Sequence, residues 1–235
     1  MKNAILTIVL ILSVLCMQAQ SLIGAWEALG DFNGKQLRSV VIFTENHQVG
    51  TFYDAKTGAF MGTNGGGWSI DGNTITEVIE FDTENSERVG STHSFDIELS
   101  ENELKIKNTP VVWRRIDNGT PGNLAGAWLI SGRMRDGELQ KRDTNRPRKT
   151  MKILSDTRFQ WIAYNTETKE FMGTGGGTYT TIDGKYIENI EFFSRDDNRV
   201  GASLQFDYEL KDSDWHHSGL SSKGNPIYEV WSLRK

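Results

Sequence analysis

Two histidines are the residues best suited to acid–base chemistry in this chain. If the segments around them are strands, His93 shares a face with Val89 and Phe95, and His217 shares a face with Trp215. We therefore expect both imidazoles to point inward, where each could act as a base or an acid near neutral pH. A core histidine with satisfied hydrogen bonds is the other interpretation. The histidines show no metal-ligand spacing, so the sequence predicts no metal and no cofactor.

Cationic side chains that could hold an anion occur in two settings. Arg88 and Arg199 occupy matching positions beside a predicted strand, where each could clamp a carboxylate or pair with Glu80 or Glu191. Tyr164 lies at a predicted strand end, where its phenol could donate to a ligand. A separate basic segment carries Arg133, Arg135, Lys141, Arg142, Arg146, Arg148 and Lys149.

The basic segment contrasts with the formal net charge of the chain, which is −5. That acidic balance argues against a nucleic-acid partner. A local cluster of cations in such a chain predicts an anionic small ligand, with Arg146, Arg148 and Lys149 among its contacts. A solvated loop is the alternative.

An internal repeat explains how these residues are positioned. Several short motifs recur in one order, among them Gly24-Ala25-Trp26 with Gly126-Ala127-Trp128, Phe60-Met61-Gly62-Thr63 with Phe171-Met172-Gly173-Thr174, and Val112-Trp113 with Val230-Trp231. The offset between matched residues grows from 102 (26 to 128) to 118 (113 to 231), so the second copy carries insertions. The first insertion contains the basic segment, and the second runs from His216 to Asn225.

Each copy consists of short stretches of alternating apolar residues separated by turn residues, a pattern typical of strands. Eight consecutive short strands that must hide both sheet edges favour a closed barrel. The sequence therefore predicts an all-β fold of two tandem small eight-stranded antiparallel up-and-down barrels. If the Gly-x-Trp motifs mark the floor of each barrel, the insertions lie in loops at the opposite end, the mouth.

The Gly-x-Trp motifs, followed by an arginine at the last strand (Arg114 or Arg115, and Arg234), resemble the lipocalin and fatty-acid-binding superfamily. The resemblance implies a tryptophan that closes the barrel floor and an arginine stacked on its ring.

Exported tandem lipocalin-like proteins also resemble accessory proteins of bacterial polysaccharide-utilisation systems, including the ulvan oligosaccharide dehydratase type. This resemblance implies a carbon–oxygen lyase that removes the proton beside a uronate carboxylate and expels the neighbouring hydroxyl. It would make His217 the base, Arg199 the carboxylate clamp and Tyr164 the acid, with His93 and Arg88 as a rival site. We favour this enzyme; the alternative is a non-catalytic binder of a small apolar or anionic ligand.

The first residues predict export to the periplasm or the medium. Lys2 precedes an apolar run from Ala4 to Cys16, a pattern typical of a cleaved signal peptide and too short for a membrane span. The predicted organisation is a signal peptide over residues 1–20, barrel 1 over 21–117, a linker over 118–123 and barrel 2 over 124–235. Because Cys16 is the single cysteine, the exported chain has no disulfide.

Overall fold

The alternating segments form antiparallel β-structure, which confirms the predicted fold class. The computed structural model describes residues 21–32, 34–120, 122–221 and 224–234, and the predicted signal peptide lies outside the described residues. Barrel 1 is closed by eight strands: β1 (Gly24–Phe32), β2 (Lys35–Phe43), β3 (His47–Asp54), β4 (Phe60–Asp71), β5 (Thr74–Asp82), β6 (Thr92–Leu99), β7 (Glu103–Ile106) and β8 (Val112–Asp117).

Barrel 2 repeats this order and adds a hairpin. Its strands are β9 (Gly126–Arg135), β10 (Glu138–Lys141), β11 (Arg148–Leu154), β12 (Arg158–Asn165), β13 (Glu170–Ile182), β14 (Lys185–Phe193), β15 (Ser203–Lys211), β16 (Asp214–Leu220) and β17 (Pro226–Leu233). Pairing of β9 with β17 closes the barrel, and β10 is an extra strand at the far end of β9.

The strand predictions differ from the structure in barrel 1 at the start of β6 and in barrel 2 within both insertions, the first of which contains β10. Strand β6 begins at Thr92 rather than Val89, because Asn85 caps a 3₁₀ turn over Ser86–Arg88 and Gly90 has φ +88°. The second insertion is not wholly a loop, because strand β16 continues to Leu220. Within the described ranges, the helical turns are too short to span a membrane.

Glycine runs allow strands β4 and β13 to bend around their barrels. The pairing register shifts between Gly65 and Gly66, and again between Gly176 and Gly177. A Cβ atom on Gly66 would lie 2.0 Å from the Val78 carbonyl oxygen, so the chain can pass there only as glycine.

The predicted Trp and Arg contact forms at one floor only. In barrel 1 the Arg115 guanidinium lies 4.0 Å from the centroid of the buried Trp26 ring. The prediction for Arg234 is wrong, because the matching position in barrel 2 is Leu233 and Arg234 points to the opposite face. There it pairs with Glu80 of barrel 1.

The two barrels share a core along their outer walls. Outward side chains of β1 to β3 and β5 pack against outward side chains of β9, β11, β12 and β14. The buried members are Ala25, Val40, Ile42, Val49, Tyr53, Phe81, Ala127, Leu129, Met151, Ile153, Ile162, Tyr164 and Phe192. The interiors form two further cores, so each wall between them is apolar on both faces.

Candidate functional site

A cluster of cations surrounds the mouth of barrel 2. Strand β9 continues past the barrel and turns at Asp136 and Gly137, both with positive φ, a two-residue hairpin typical of Asp-Gly. The hairpin and the start of β11 enclose a cavity of about 310 Å³, which we call the rim cavity. It is lined by Arg133, Arg135, Gln140, Lys141, Arg142 and Arg148.

The charges of the rim cavity are poorly compensated. Burial, and then the neighbouring Arg148, Arg133 and Arg135, lower the pKa of Arg142. Mutual repulsion of this kind costs free energy that an anion would recover. Arg148 also lines an adjoining cavity of about 200 Å³ with Arg146, and Arg146 Nε lies 3.9 Å from Asp143.

Lys149 contacts the loop that carries two other predicted ligand-binding residues. Its ammonium group donates to the backbone carbonyl oxygens of Thr144 (3.0 Å) and Arg146 (3.3 Å). It therefore holds the loop that carries Arg146 and Arg148 in place.

Below the rim cavity, three side chains on neighbouring strands connect it to the barrel interior. Arg133, Glu229 and His217 are cross-strand partners, so they project from the same face. Arg133 forms an ion pair with Glu229, and His217 Nδ1 lies 3.6 Å from the other carboxylate oxygen. The inward orientation of His217 agrees with the sequence, and only 2% of its surface is exposed.

Glu229 is ionised in this setting. Burial alone would raise its pKa, but His217, Lys152 and Arg133 lower it to about 2. Burial and the nearby Lys152 ammonium lower the pKa of His217, so its imidazole is neutral.

A second ion pair lies deeper. Lys152 Nζ donates to Glu188 at 2.7 Å, and both side chains are buried. The ammonium group also lies 4.9 Å from the Tyr186 ring centroid and 5.0 Å from that of Trp215. Lys152 and Glu229 were not predicted from the sequence. The available signal was a lysine at an inward position of the apolar strand β11, and a glutamate two residues before the inward Trp231.

Barrel 1 carries a different group of residues at its mouth. His93 is the cross-strand partner of Glu77, and its Nε2 lies 2.8 Å from Ser91 Oγ. Arg88 donates to Asp82 at 2.8 Å, and its Nε lies 3.5 Å from His93 Nε2. The structure therefore brings His93 and Arg88 together.

Glu77 differs from its counterpart Glu188 because it has no lysine as an ion-pair partner at the matching position. The position that matches Lys152 is Val41, as their pairing with Trp128 and Trp26 shows. Burial consequently raises the pKa of Glu77 to about 7, against a smaller opposing effect of Arg88.

The residues proposed as acid, base and clamp in barrel 2 do not converge. Tyr164 lies at the predicted end of its strand, but its phenol is buried between the barrels and donates to Glu80, so it does not face a ligand at the mouth. Residues along β12 alternate between the core shared by the barrels and the interior core of barrel 2, and Tyr164 belongs to the shared core. It therefore points outward from barrel 2, whereas His217 points inward. Arg199 belongs to a 3₁₀ turn and lies 3.5 Å from Asp196.

The predicted pairing of Arg88 with Glu80 and of Arg199 with Glu191 is also wrong. The partners are Asp82 and Asp196, because the turn that precedes each arginine brings these aspartates closer. Among the described residues, no three His, Cys, Asp or Glu side chains are placed to hold a metal ion.

Comparison with known proteins agrees with this fold. Residues 21–106 match the family model of a lipocalin-like domain, and residues 123–233 match a domain of unknown function (DUF4488). No curated protein matches the chain. With the two closed barrels, the first match supports a tandem lipocalin-like fold, an architecture suited to binding small molecules.

Proposed function

We propose that the protein binds an anionic small molecule in the rim cavity of barrel 2, and that the ligand is an oligosaccharide bearing uronate carboxylates. The observation that carries this proposal is the cavity of about 310 Å³ in which Arg133, Arg135, Lys141, Arg142 and Arg148 converge. Guanidinium groups bind carboxylates through paired, charge-assisted hydrogen bonds.

The hairpin of β9 and β10 gives this site to barrel 2 alone. In barrel 1, strand β1 turns directly into β2 at Phe32 and Lys35. Lys141 and Arg142 therefore belong to an insertion in an otherwise repeated fold, whereas Arg133 and Arg148 stand on the barrel strands β9 and β11. We further propose that residues 1–20 direct the protein to the periplasm or the medium, where polysaccharide fragments are met.

Titration calorimetry with a galacturonate trisaccharide and an uncharged trisaccharide tests the binding function. We expect the acidic sugar to bind far more tightly than the uncharged one, with an advantage that shrinks as salt concentration rises. Arg142→Gln and Arg148→Gln should each weaken it about tenfold or more, since a charge-assisted hydrogen bond contributes ~1.5–3 kcal/mol.

Arg114→Gln is the matched control, because Arg114 is exposed on barrel 1. Its nearest carboxylate oxygen, on Glu103, is 4.0 Å away, so the ion pair is weak. Equal affinity of wild type and both rim variants would contradict the proposal.

A second candidate function, the carbon–oxygen lyase, is favoured by one observation in barrel 1. Glu77, with a pKa of about 7, adjoins His93, and Arg88 lies beside them. His93 would take the proton beside the uronate carboxylate, and the electrons of that C–H bond would form a double bond as the bond to the neighbouring hydroxyl breaks. Because Tyr164 is buried in the interface, protonated Glu77 would be the acid that releases the hydroxyl oxygen as water.

Absorbance of the conjugated double bond that this elimination creates provides the assay. We expect product from acidic oligosaccharides and its loss in His93→Ala and Glu77→Gln. No absorbance change across several uronic acids would exclude the lyase and leave the binding function intact.

A further inference from the structure

The interior of barrel 2 contains hydrogen-bonding groups that the protein does not use. Seven buried side-chain atoms have no hydrogen-bond partner among the described residues, and five of them lie in this interior: Trp215 Nε1, Trp231 Nε1, Tyr186 Oη and both ring nitrogens of His217. The other two are Gln48 Nε2 and Arg158 Nε. Native proteins leave few such atoms, since each forfeits its hydrogen bonds to water, so five in one interior form a notable group.

The rings that carry these groups are in contact with one another. The Tyr186 ring centroid lies 5.1 Å from that of Trp215 and 5.7 Å from that of His217, and the Trp215 and Trp231 centroids are 5.9 Å apart. The Lys152 ammonium contacts the same rings. We call Tyr186, Trp215, His217 and Trp231 the interior cluster.

Barrel 1 shows that the fold does not need this polarity. By strand pairing, Ile75 matches Tyr186, Leu104 matches Trp215 and Ile106 matches His217. These aliphatic side chains pack in the interior core of barrel 1.

The hydrogen-bonding capacity of the interior cluster defines the kind of group it can bind. The two indoles, the phenol and the neutral imidazole offer mainly donors. The charges nearby cancel, because Lys152 pairs with Glu188 and Arg133 with Glu229. Burial, and then the neighbouring Glu188 carboxylate, raise the pKa of Tyr186, so its hydroxyl keeps its proton and is available as a donor. An uncharged group with acceptor oxygens is therefore favoured over a second anion.

We propose that the interior cluster is a subsite for an uncharged, oxygen-bearing group of the ligand, a hydroxyl or carbonyl, while the anionic group of the same ligand occupies the rim cavity. This inference rests on the proposed binding function. The rings pack closely, with the His217 and Phe206 centroids 4.2 Å apart, so the subsite is proposed for one such group and not for a whole sugar ring. Glu229 connects the two parts, since it contacts Arg133 of the rim and faces His217 of the cluster.

Nuclear magnetic resonance of the tryptophan indole N–H groups tests this subsite with three probes: acetate, methyl xyloside and galacturonic acid. We expect methyl xyloside and galacturonic acid to shift the Trp215 and Trp231 signals. Trp26 and Trp68 provide internal controls, because their indoles already donate to backbone carbonyls at 2.9 Å. Acetate should leave the Trp215 and Trp231 signals unmoved.

Two outcomes would overturn the subsite. If galacturonic acid binds, as measured by calorimetry, but the Trp215 and Trp231 signals stay in place, binding is confined to the rim and the proposed function survives alone. If no probe moves these signals and a crystal structure shows ordered water on the cluster atoms, the cluster holds water only.

Tyr186→Phe supplies a variant that keeps the packing and removes the hydroxyl of the interior cluster. We expect it to weaken methyl xyloside binding about fivefold and to leave acetate binding unchanged. Unchanged affinity for methyl xyloside would contradict the proposal. The rim variant Arg148→Gln should weaken acetate binding and leave methyl xyloside binding unchanged. Failure of the rim site and failure of the subsite are therefore distinguishable.

Discussion

The hydroxyl of Tyr164 in barrel 2 donates a hydrogen bond to Glu80 in barrel 1, and Tyr53 of barrel 1 donates to Glu191 of barrel 2 at 2.7 Å. Both tyrosines and both glutamates are matched positions of the repeat. Each copy thus gives the other a hydroxyl and receives one, which is the arrangement of a two-fold interface. The matched Phe60 and Phe171 rings stack on each other with centroids 6.1 Å apart.

Removing either of these hydroxyls should weaken the interface. We expect Tyr53→Phe and Tyr164→Phe each to lower the free energy of unfolding by about 1–3 kcal/mol, because a carboxylate loses a charge-assisted hydrogen bond. Urea unfolding followed by tryptophan fluorescence measures this. Tyr208→Phe is the control, since its hydroxyl has only a 3.4 Å contact with Asn123. An equal effect in all three variants would argue against the reciprocal bonds.

The shared core predicts that neither barrel is stable by itself. A fragment ending in the linker at residue 120 would expose Val40, Ile42 and Phe81, which are buried against the other barrel. We expect each half to be aggregated or poorly folded and an equimolar mixture to recover a complex of native size. Size-exclusion chromatography and circular dichroism provide the test. Two well-folded, monomeric halves would show that the interface contributes little.

Breaking the buried ion pair of barrel 2 should be costly, whereas replacing it should not. Lys152→Met leaves the Glu188 carboxylate buried without its partner, and we expect a loss of about 3–5 kcal/mol in the free energy of unfolding. The double variant Lys152→Met with Glu188→Leu should recover most of that loss. If the double variant is as unstable as the single one, the lysine contributes through packing instead of charge.

Glu77 makes stability depend on pH in barrel 1. Its pKa is raised to about 7 by burial, so between pH 4.5 and 7 the folded state keeps a proton that the unfolded state releases. The stabilising contribution is therefore complete below pH 4.5 and is lost as the pH rises through 7. Glu77→Gln removes this loss. The free energy of unfolding of the variant minus that of wild type should therefore increase by about 2–3 kcal/mol from pH 5 to pH 8.

His47 titrates with the opposite sign, because burial lowers its pKa to about 4. Wild type and Glu77→Gln both contain His47, so its effect cancels in the difference between their free energies of unfolding. That difference reports on the Glu77 carboxyl alone. Glu98→Gln, an exposed substitution on β6, should show no such change. A difference that is the same at both pH values would refute the assignment to Glu77.

Arg115 should stabilise the floor of barrel 1 through its shape as well as its charge. Its guanidinium covers Trp26 and donates to the carbonyl oxygens of Ser21, Ile23 and Glu101. We expect Arg115→Ala to cost about 1–3 kcal/mol, and Arg115→Lys to recover only part of it because an ammonium cannot stack. The adjacent, exposed Arg114→Ala is the control in thermal unfolding.

The sequence by itself was sufficient for the strands, the repeat and the inward histidines. Alternation of apolar residues is a local property, and two copies of one pattern confirm each other. Parity placed His93 and His217 inside, and the basic insertion lies at the mouth as expected.

Only the tertiary structure decided which face of each wall meets the other barrel. Because β3 and β12 are buried on both faces, the pattern along these strands does not show that the side chains of Tyr53 and Tyr164 turn into an interface. The same applies to Arg234, which one register shift in β17 turns away from the floor. The partners of Glu80, Glu191 and Lys152 are remote in sequence, and pairing between remote charges is set by how strands and barrels pack.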